Sequence, residues 1–173
     1  MAEPRIRTAQ HTSRVAAPPQ RAYQLIANLD RWPHMFDTVL AVEHIGWSGT
    51  CERVRFWGTF GDWRGSWVCS QELNPKRMQL RFRRERAAYP LASFGGLWLV
   101  AAKGSGSQVT LDHYYTIVDD DPVEAARLDA TIERSATRML AALRRAAELG
   151  DLDDMWLSMP DGVRDHVRDV ALR

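Results

Sequence analysis

The sequence predicts an α+β fold in which a curved antiparallel sheet wraps around one long C-terminal helix and encloses a cavity. Three observations predict it. A strand-like segment at 10–16 comes first and runs into a short helix started by prolines. Six further strand-like segments then follow with turn chemistry between them and no intervening helix, which marks a meander and not alternating parallel units. A single long amphipathic segment, 122–149, closes the series.

Size and charge narrow the function. A chain of 173 residues is most economically one domain, here residues 1–150, with 151–173 as a tail. Hydrophobic content of 45% and charged content of 26% suit a globular protein, and no stretch approaches the length of a membrane span, so a membrane role is set aside. A net charge of +1 argues against nucleic acid as partner and for a small molecule. The start, Met1 to Arg5, lacks the apolar core of a secretory signal, which predicts a cytoplasmic protein. Cys51 and Cys69 have neither CxxC nor Cys/His spacing, so no disulfide framework and no metal site are predicted.

Taken in order, residues 1–9 read as polar and frayed, and the first strand ends at Pro18-Pro19. Ala22, Tyr23, Leu25, Ile26 and Leu29 give the following helix one apolar face. Trp32-Pro33 reads as its break, and His34 to Phe36 as a second short helical turn that rims a cavity. Strands are predicted at 39–45, 52–60, 64–73, 78–85, 97–102 and 108–117, with breaks at Gly46/Gly49, Gly61-Asp62, Asn74-Pro75, 90–96 and Gly104 to Gly106. Asp121 predicts an N-cap, Pro122 the first helical residue and Gly150 the stop. Leu128, Ile132, Ser135, Met139 and Leu143 form the predicted inward stripe. The tail packs either on the domain or on a partner, a homodimer being one option.

Strand side chains alternate between faces, so phase selects those that meet inside. Trp67, Cys69 and Gln71 share one face of the third meander strand, and this face is assigned inward. Leu111, His113 and Tyr115 share a face of the last strand, as do Trp98 and Val100 of the strand before it. An aromatic wall with a few polar atoms set into it is the usual composition of a small-molecule pocket.

Several blocks together carry a resemblance. They are His11-Thr12-Ser13-Arg14-Val15-Ala16-Ala17-Pro18, Trp32-Pro33-x-x-Phe36, Trp67-x-x-x-x-x-Leu73-Asn74-Pro75, Gly95-Gly96-x-Trp98 and Glu133-Arg134-Ser135. Over residues 10–149 the chain resembles bacterial aromatic polyketide aromatase/cyclases of the Bet v 1-like, START-related helix-grip superfamily, both the single-domain members and the first half of the two-domain ones. The resemblance implies a cavity that receives a poly-β-ketone on an acyl carrier protein and promotes aldol closure of the first ring. It also implies help in dehydrating that ring, with no cofactor or metal.

By the same resemblance the family's important arginine falls on Gln71, its helix carboxylate on Met139 and its last-strand histidine on His113. Gln71 and His113 are therefore the catalytic candidates, the first as a hydrogen-bond donor and the second as an acid or base. Dehydration is the step these replacements put in question. His113 reads alternatively as a satisfied core histidine, and Cys69, where relatives carry serine, as strand filler without an activating base. Trp32, Phe36, Trp67, Phe94, Trp98, Tyr115, Ser135 and Met139 are expected to contact substrate. Tyr89 and Phe94 lie in a loop that reads as a lid or a surface turn. Arg84, in phase with Leu80 and Phe82, reads as a substitute for the missing arginine or as a solvated strand end. Two rival functions remain at this level, a binding or delivery protein for a hydrophobic aromatic metabolite and a cyclase acting on rings already formed.

Overall fold

The structure is a computed structural model and describes residues 4–149; the predicted tail, 151–173, lies outside the described residues. The chain runs β1 (Arg7–Val15), α1 (Pro19–Ala27), a 3-10 turn (Leu29–Arg31), α2 (Trp32–Met35), β2 (Val39–Ser48) and β3 (Cys51–Phe60). It continues through β4 (Trp63–Asn74), β5 (Gln79–Arg84), β6 (Leu91–Lys103), β7 (Gly106–Ile117), a 3-10 turn (Val118–Asp120) and α3 (Pro122–Leu149). Among the described residues the seven strands make one antiparallel sheet in the order β1-β7-β6-β5-β4-β3-β2. It is thus a meander from β2 to β7, to which the first strand adds as the far edge.

Helix α3 starts where predicted because its start is chemically marked; the predicted stop, Gly150, lies outside the described residues. The Asp121 carboxylate accepts the N–H groups of Val123 (2.8 Å) and Glu124 (3.2 Å), two of the donors a helix start leaves unpaired. The fully buried line of the helix is Ala125, Leu128, Ile132, Ala136, Leu140, Leu143 and Ala147. Ser135 and Met139 are only half-buried and flank that line. The predicted stripe thus runs one residue off centre in its middle, and this offset aims Ser135 and Met139 at open space instead of packed core.

Several boundaries differ from expectation, among them β2, which continues to Ser48 through the predicted break at Gly46 with a register shift there. β1 begins at Arg7, because Arg7, Thr8 and Ala9 pair with Tyr115, Tyr114 and His113. Trp32-Pro33 opens α2 and does not merely break α1; a proline in the first turn loses no hydrogen bond there. The largest difference is β6, which starts at Leu91 and absorbs most of the segment read as a loop. Gly95 and Gly96 are strand residues whose missing side chains admit close neighbours. A Cβ on Gly96 would sit 2.1 Å from the Asp112 carbonyl oxygen and 2.6 Å from Cζ of Phe82.

The small helices are fixed to the sheet by polar contacts that also set the cavity rim. The Trp32 indole N–H donates to the Ile26 carbonyl (3.2 Å), which satisfies a buried donor. His44 lies between Glu52 and Asp30, its Nε2 2.8 Å from the latter, and ties the first 3-10 turn to β2 and β3. The bond to Glu52 first and that to Asp30 second raise its pKa.

Gly96→Ala is expected to destabilise the protein by about 3 kcal/mol or to block folding, since the contact is with rigid backbone. Gly46→Ala, with nothing within 4 Å of the added carbon, is expected to change stability by less than about 0.5 kcal/mol. Urea unfolding of both variants checks this.

Candidate active site

A cavity of about 100 Å³ lies between the concave face of the sheet and α3. Its wall is aromatic because β3, β4, β5 and β6 each direct ring-bearing residues inward at alternate positions. Trp32 stacks on Phe56 at 5.5 Å between centroids and meets Trp98 edge-on at 6.3 Å, and Phe56 stacks on Trp67 at 6.0 Å. On the other side Phe94 lies 5.6 Å from Phe60 and 6.3 Å from Phe82.

Among the polar side chains that interrupt this wall, three are deeply buried. Gln71, Arg84 and His113 are 5%, 8% and 7% exposed, and each keeps one buried atom without a hydrogen-bond partner: Oε1, Nε and Nδ1 respectively. Native interiors rarely leave such atoms unpaired. The Arg84 guanidinium lies over Trp63 (5.0 Å) and Trp67 (5.4 Å), so ring faces hold it in place of a carboxylate. Burial lowers its pKa, with the opposing influence of Cys69 smaller. His113 contacts Phe94 at 5.3 Å and Phe82 at 6.0 Å. Burial, and secondarily the charge of His11, push its pKa down to about 4, so it is the neutral imidazole at physiological pH. Burial pushes the Cys69 thiol up to about 12, which leaves no thiolate for nucleophilic chemistry. No Asp or Glu lines the cavity among the described residues, nor do three or more His, Cys, Asp or Glu cluster where they would hold a metal.

Most of the residues singled out from sequence meet here: Trp32, Trp67, Cys69, Gln71, Arg84, Phe94, Trp98, His113, Ser135 and Met139 all border the cavity. Three do not. Tyr89 is 74% exposed in the turn before β6, because the strand starts after it. Phe36 is buried behind the wall, against Trp32 (5.2 Å) and Trp98 (6.1 Å). Tyr115 has the predicted phase but lies one step too far along β7. It belongs to a second apolar cluster with Leu91 and Ile132, and its hydroxyl donates to Asp129. Sequence reasoning passed over Phe56, Phe60 and Phe82, although Val54, Phe56, Gly58 and Phe60 alternate in the same way as the strand that was read correctly. Thr38 and Thr59 also line the cavity and carried no signal of their own.

The volume limits what the site holds as it stands. A cavity of about 100 Å³ has room for roughly three waters, whereas drug-sized ligands occupy about 300–1,000 Å³. A larger ligand must displace side chains. Met139 is the most adaptable of the wall, being unbranched, half-buried and set on the helix face beside Ser135.

This fold and site define a helix-grip protein with an aromatic-walled ligand cavity. The family model described as "Polyketide cyclase / dehydrase and lipid transport" matches residues 7–148, and the chain belongs to that family. It is 34% identical over 160 residues to the granaticin polyketide synthase bifunctional cyclase/dehydratase of Streptomyces violaceoruber, covering 91% of this chain and 49% of that protein. The chain therefore spans about half the length of this relative. Among solved structures, the di-domain ARO/CYC BexL is 31% identical with a TM-score of 0.72, over 80% of this chain and 45% of that one. The Zhui aromatase/cyclase from Streptomyces shares the fold at a TM-score of 0.74 and 22% identity, over 86% of this chain and 100% of that one.

The buried state of His113 has a pH signature. Its folded pKa of about 4 lies below the ordinary 6.5, so below pH 6.5 the unfolded chain binds a proton that the folded chain accepts only near pH 4. Stability from this group is complete above pH 6.5 and falls by up to roughly 3 kcal/mol as pH drops to 4. His113→Leu is expected to flatten that part of the profile in chemical denaturation between pH 4 and 7. Parallel profiles for the two proteins would contradict a neutral buried His113.

Proposed function

We propose that this protein is a polyketide cyclase/aromatase that guides aldol closure of the first ring of a poly-β-ketone presented on an acyl carrier protein in the cytoplasm. The observation that carries the reading is the set of unpartnered atoms on Gln71, Arg84 and His113 around one aromatic cavity. A poly-β-ketone supplies regularly spaced carbonyl oxygens and acidic methylenes between them, which match a cation, an amide and a neutral imidazole. The family membership supports the same substrate class.

In this mechanism His113 takes a proton from a methylene, and the resulting enolate oxygen is held by the Arg84 guanidinium, whose charge is undiluted by any carboxylate. The enolate carbon bonds to a ketone carbon further along the chain. The Gln71 amide orients that ketone, and its oxygen regains the proton as an alcohol. The aromatic wall excludes water and folds the chain so that the two carbons meet. Arg84 thus takes over, from the neighbouring strand, the cationic role that Gln71 does not supply. Loss of water from the aldol needs a further proton donor, and Ser135 and the Thr38 and Thr59 hydroxyls border the same space.

One observation favours a second reading, a carrier for a hydrophobic aromatic metabolite: among the described residues Arg84 alone lines the cavity with a group that is charged at neutral pH. Turnover separates the two. A minimal synthase that generates the carrier-bound chain is expected to shift from shunt products to a cyclised product when this protein is added. Arg84→Met is expected to lower the rate on the order of 10²-fold, Gln71→Ala by about tenfold, and His113→Ala by 10² or more. An unchanged product distribution with the wild-type protein, together with a co-purified aromatic ligand, would favour the carrier. We place the working unit within residues 1–150, so a chain ending at Gly150 is expected to keep its thermal midpoint and its turnover.

A further inference from the structure

A second hollow, of about 470 Å³, lies along β1 and is lined by Arg7, Ala9 and His11 of that strand, Tyr115 of β7, and Asp129 and Glu133 of α3. Its character is the opposite of the first. Ionisable residues line it from each of these elements and from the segment before β1: Arg5 ahead of the strand, Arg7 and His11 from β1, Tyr115 from β7, and Asp129 and Glu133 from α3. Arg7 is engaged by Asp120 at 3.0 Å, and the Tyr115 hydroxyl by Asp129. The buried Nδ1 of His11 has no hydrogen-bond partner among the described residues.

The register of β1 on β7 sets this histidine beside the catalytic cavity. His11 pairs with Leu111 and Ala9 pairs with His113, and both Leu111 and His113 line the cavity. His11 and His113 are therefore diagonal neighbours, a placement that separates Cα atoms by about 7–8 Å and Cβ atoms by somewhat less, a gap that one bridging water spans. The residue directly opposite His113 is Ala9, and a methyl group does not fill the gap between the rings. Each ring has an unpartnered Nδ1.

Resting on the cyclase reading, we propose that His113 and His11 form a proton relay linking the apolar cavity to the polar hollow, and through it to solvent. One ring nitrogen of His113 accepts the methylene proton while its other nitrogen hands its own proton to a bridging water, which passes one of its protons to Nδ1 of His11. His11 then releases a proton from Nε2 to water in the hollow or to Glu133. The electron pair left on the substrate resides on the enolate oxygen beside Arg84, so the buried imidazole gains no net charge. The reverse transfer returns the proton to the new alkoxide. Simple protonation of His113 would place a cation where burial and the nearby His11 both oppose it. Handing a proton through the ring avoids that state. His11 acts through His113 and does not touch substrate.

The test uses the full chain in the reconstituted synthase. His11→Ala is expected to lower kcat tenfold or more with little change in KM and to alter the pH profile. Imidazole at tens of millimolar is expected to restore the rate, since the hollow readily admits it, whereas His113→Ala gains nothing. The milder His11→Asn, which retains polarity, covers the case in which His11→Ala fails to fold. Turnover of His11→Asn at the wild-type rate, or a loss in His11→Ala that imidazole leaves untouched in a folded protein, would overturn the relay. A second readout is independent of turnover: in ¹⁵N-histidine NMR, His11→Asn is expected to move the His113 titration midpoint upward, and an unmoved midpoint would overturn the contact. Wild-type protein that converts no substrate would refute the cyclase reading instead, and the NMR comparison would still decide whether the two histidines are coupled.

Discussion

A buried hydrogen-bonding atom without a partner costs about 1–3 kcal/mol, and this fold concentrates three of them on one cavity wall: Gln71 Oε1, Arg84 Nε and His113 Nδ1. That cost constrains everything around it. The sheet has to curve far enough around α3 for β4, β5 and β7 to aim these side chains at one place. The surrounding rings have to hold Arg84 where a carboxylate would normally do so. A ligand that offers both carbonyl oxygens and enol hydroxyls suits this set, since a carbonyl oxygen accepts from Arg84 Nε and an enol O–H donates to Gln71 Oε1 or His113 Nδ1.

The rest of the architecture serves that arrangement. Gly95 and Gly96 let β6 approach Phe82 and Asp112 closely, which brings Phe94 and Trp98 onto the cavity wall. The His44 bridge to Glu52 and Asp30 anchors the turn that precedes Trp32, and Trp32 in turn stacks on Phe56. The off-centre course of the α3 stripe leaves Ser135 and Met139 as the movable side of an otherwise rigid ring-lined space.

Much of this was legible in the amino-acid order. The start of helix α3 was readable to the residue because Asp121 and Pro122 mark it, and the inward face of β4 followed from strict alternation of Trp67, Cys69 and Gln71. The first half of β6 was not readable, since Gly95-Gly96 has the same appearance as a turn when its reason is the closeness of another strand. Tyr115 was misplaced because phase tells which face a residue takes, not how far along the strand the cavity extends, whereas Tyr89 sits in the surface turn that was one of its two readings. Phe56, Phe60 and Phe82 were available by the same alternation rule. The diagonal placement of His11 beside His113 was not, because it depends on the register between the first strand and the last, and the two residues are 102 positions apart.

The account rests on the three polar groups serving a ligand and not a private structural need, and an experimental structure of the protein with a hydrophobic aromatic 1,3-diketone tests this most directly. It predicts the diketone inside the ring-lined cavity, one oxygen within hydrogen-bond distance of Arg84, the other near Gln71 or His113, and Met139 displaced. A diketone bound only at the surface, with the Gln71, Arg84 and His113 side chains turning to satisfy one another, would contradict it.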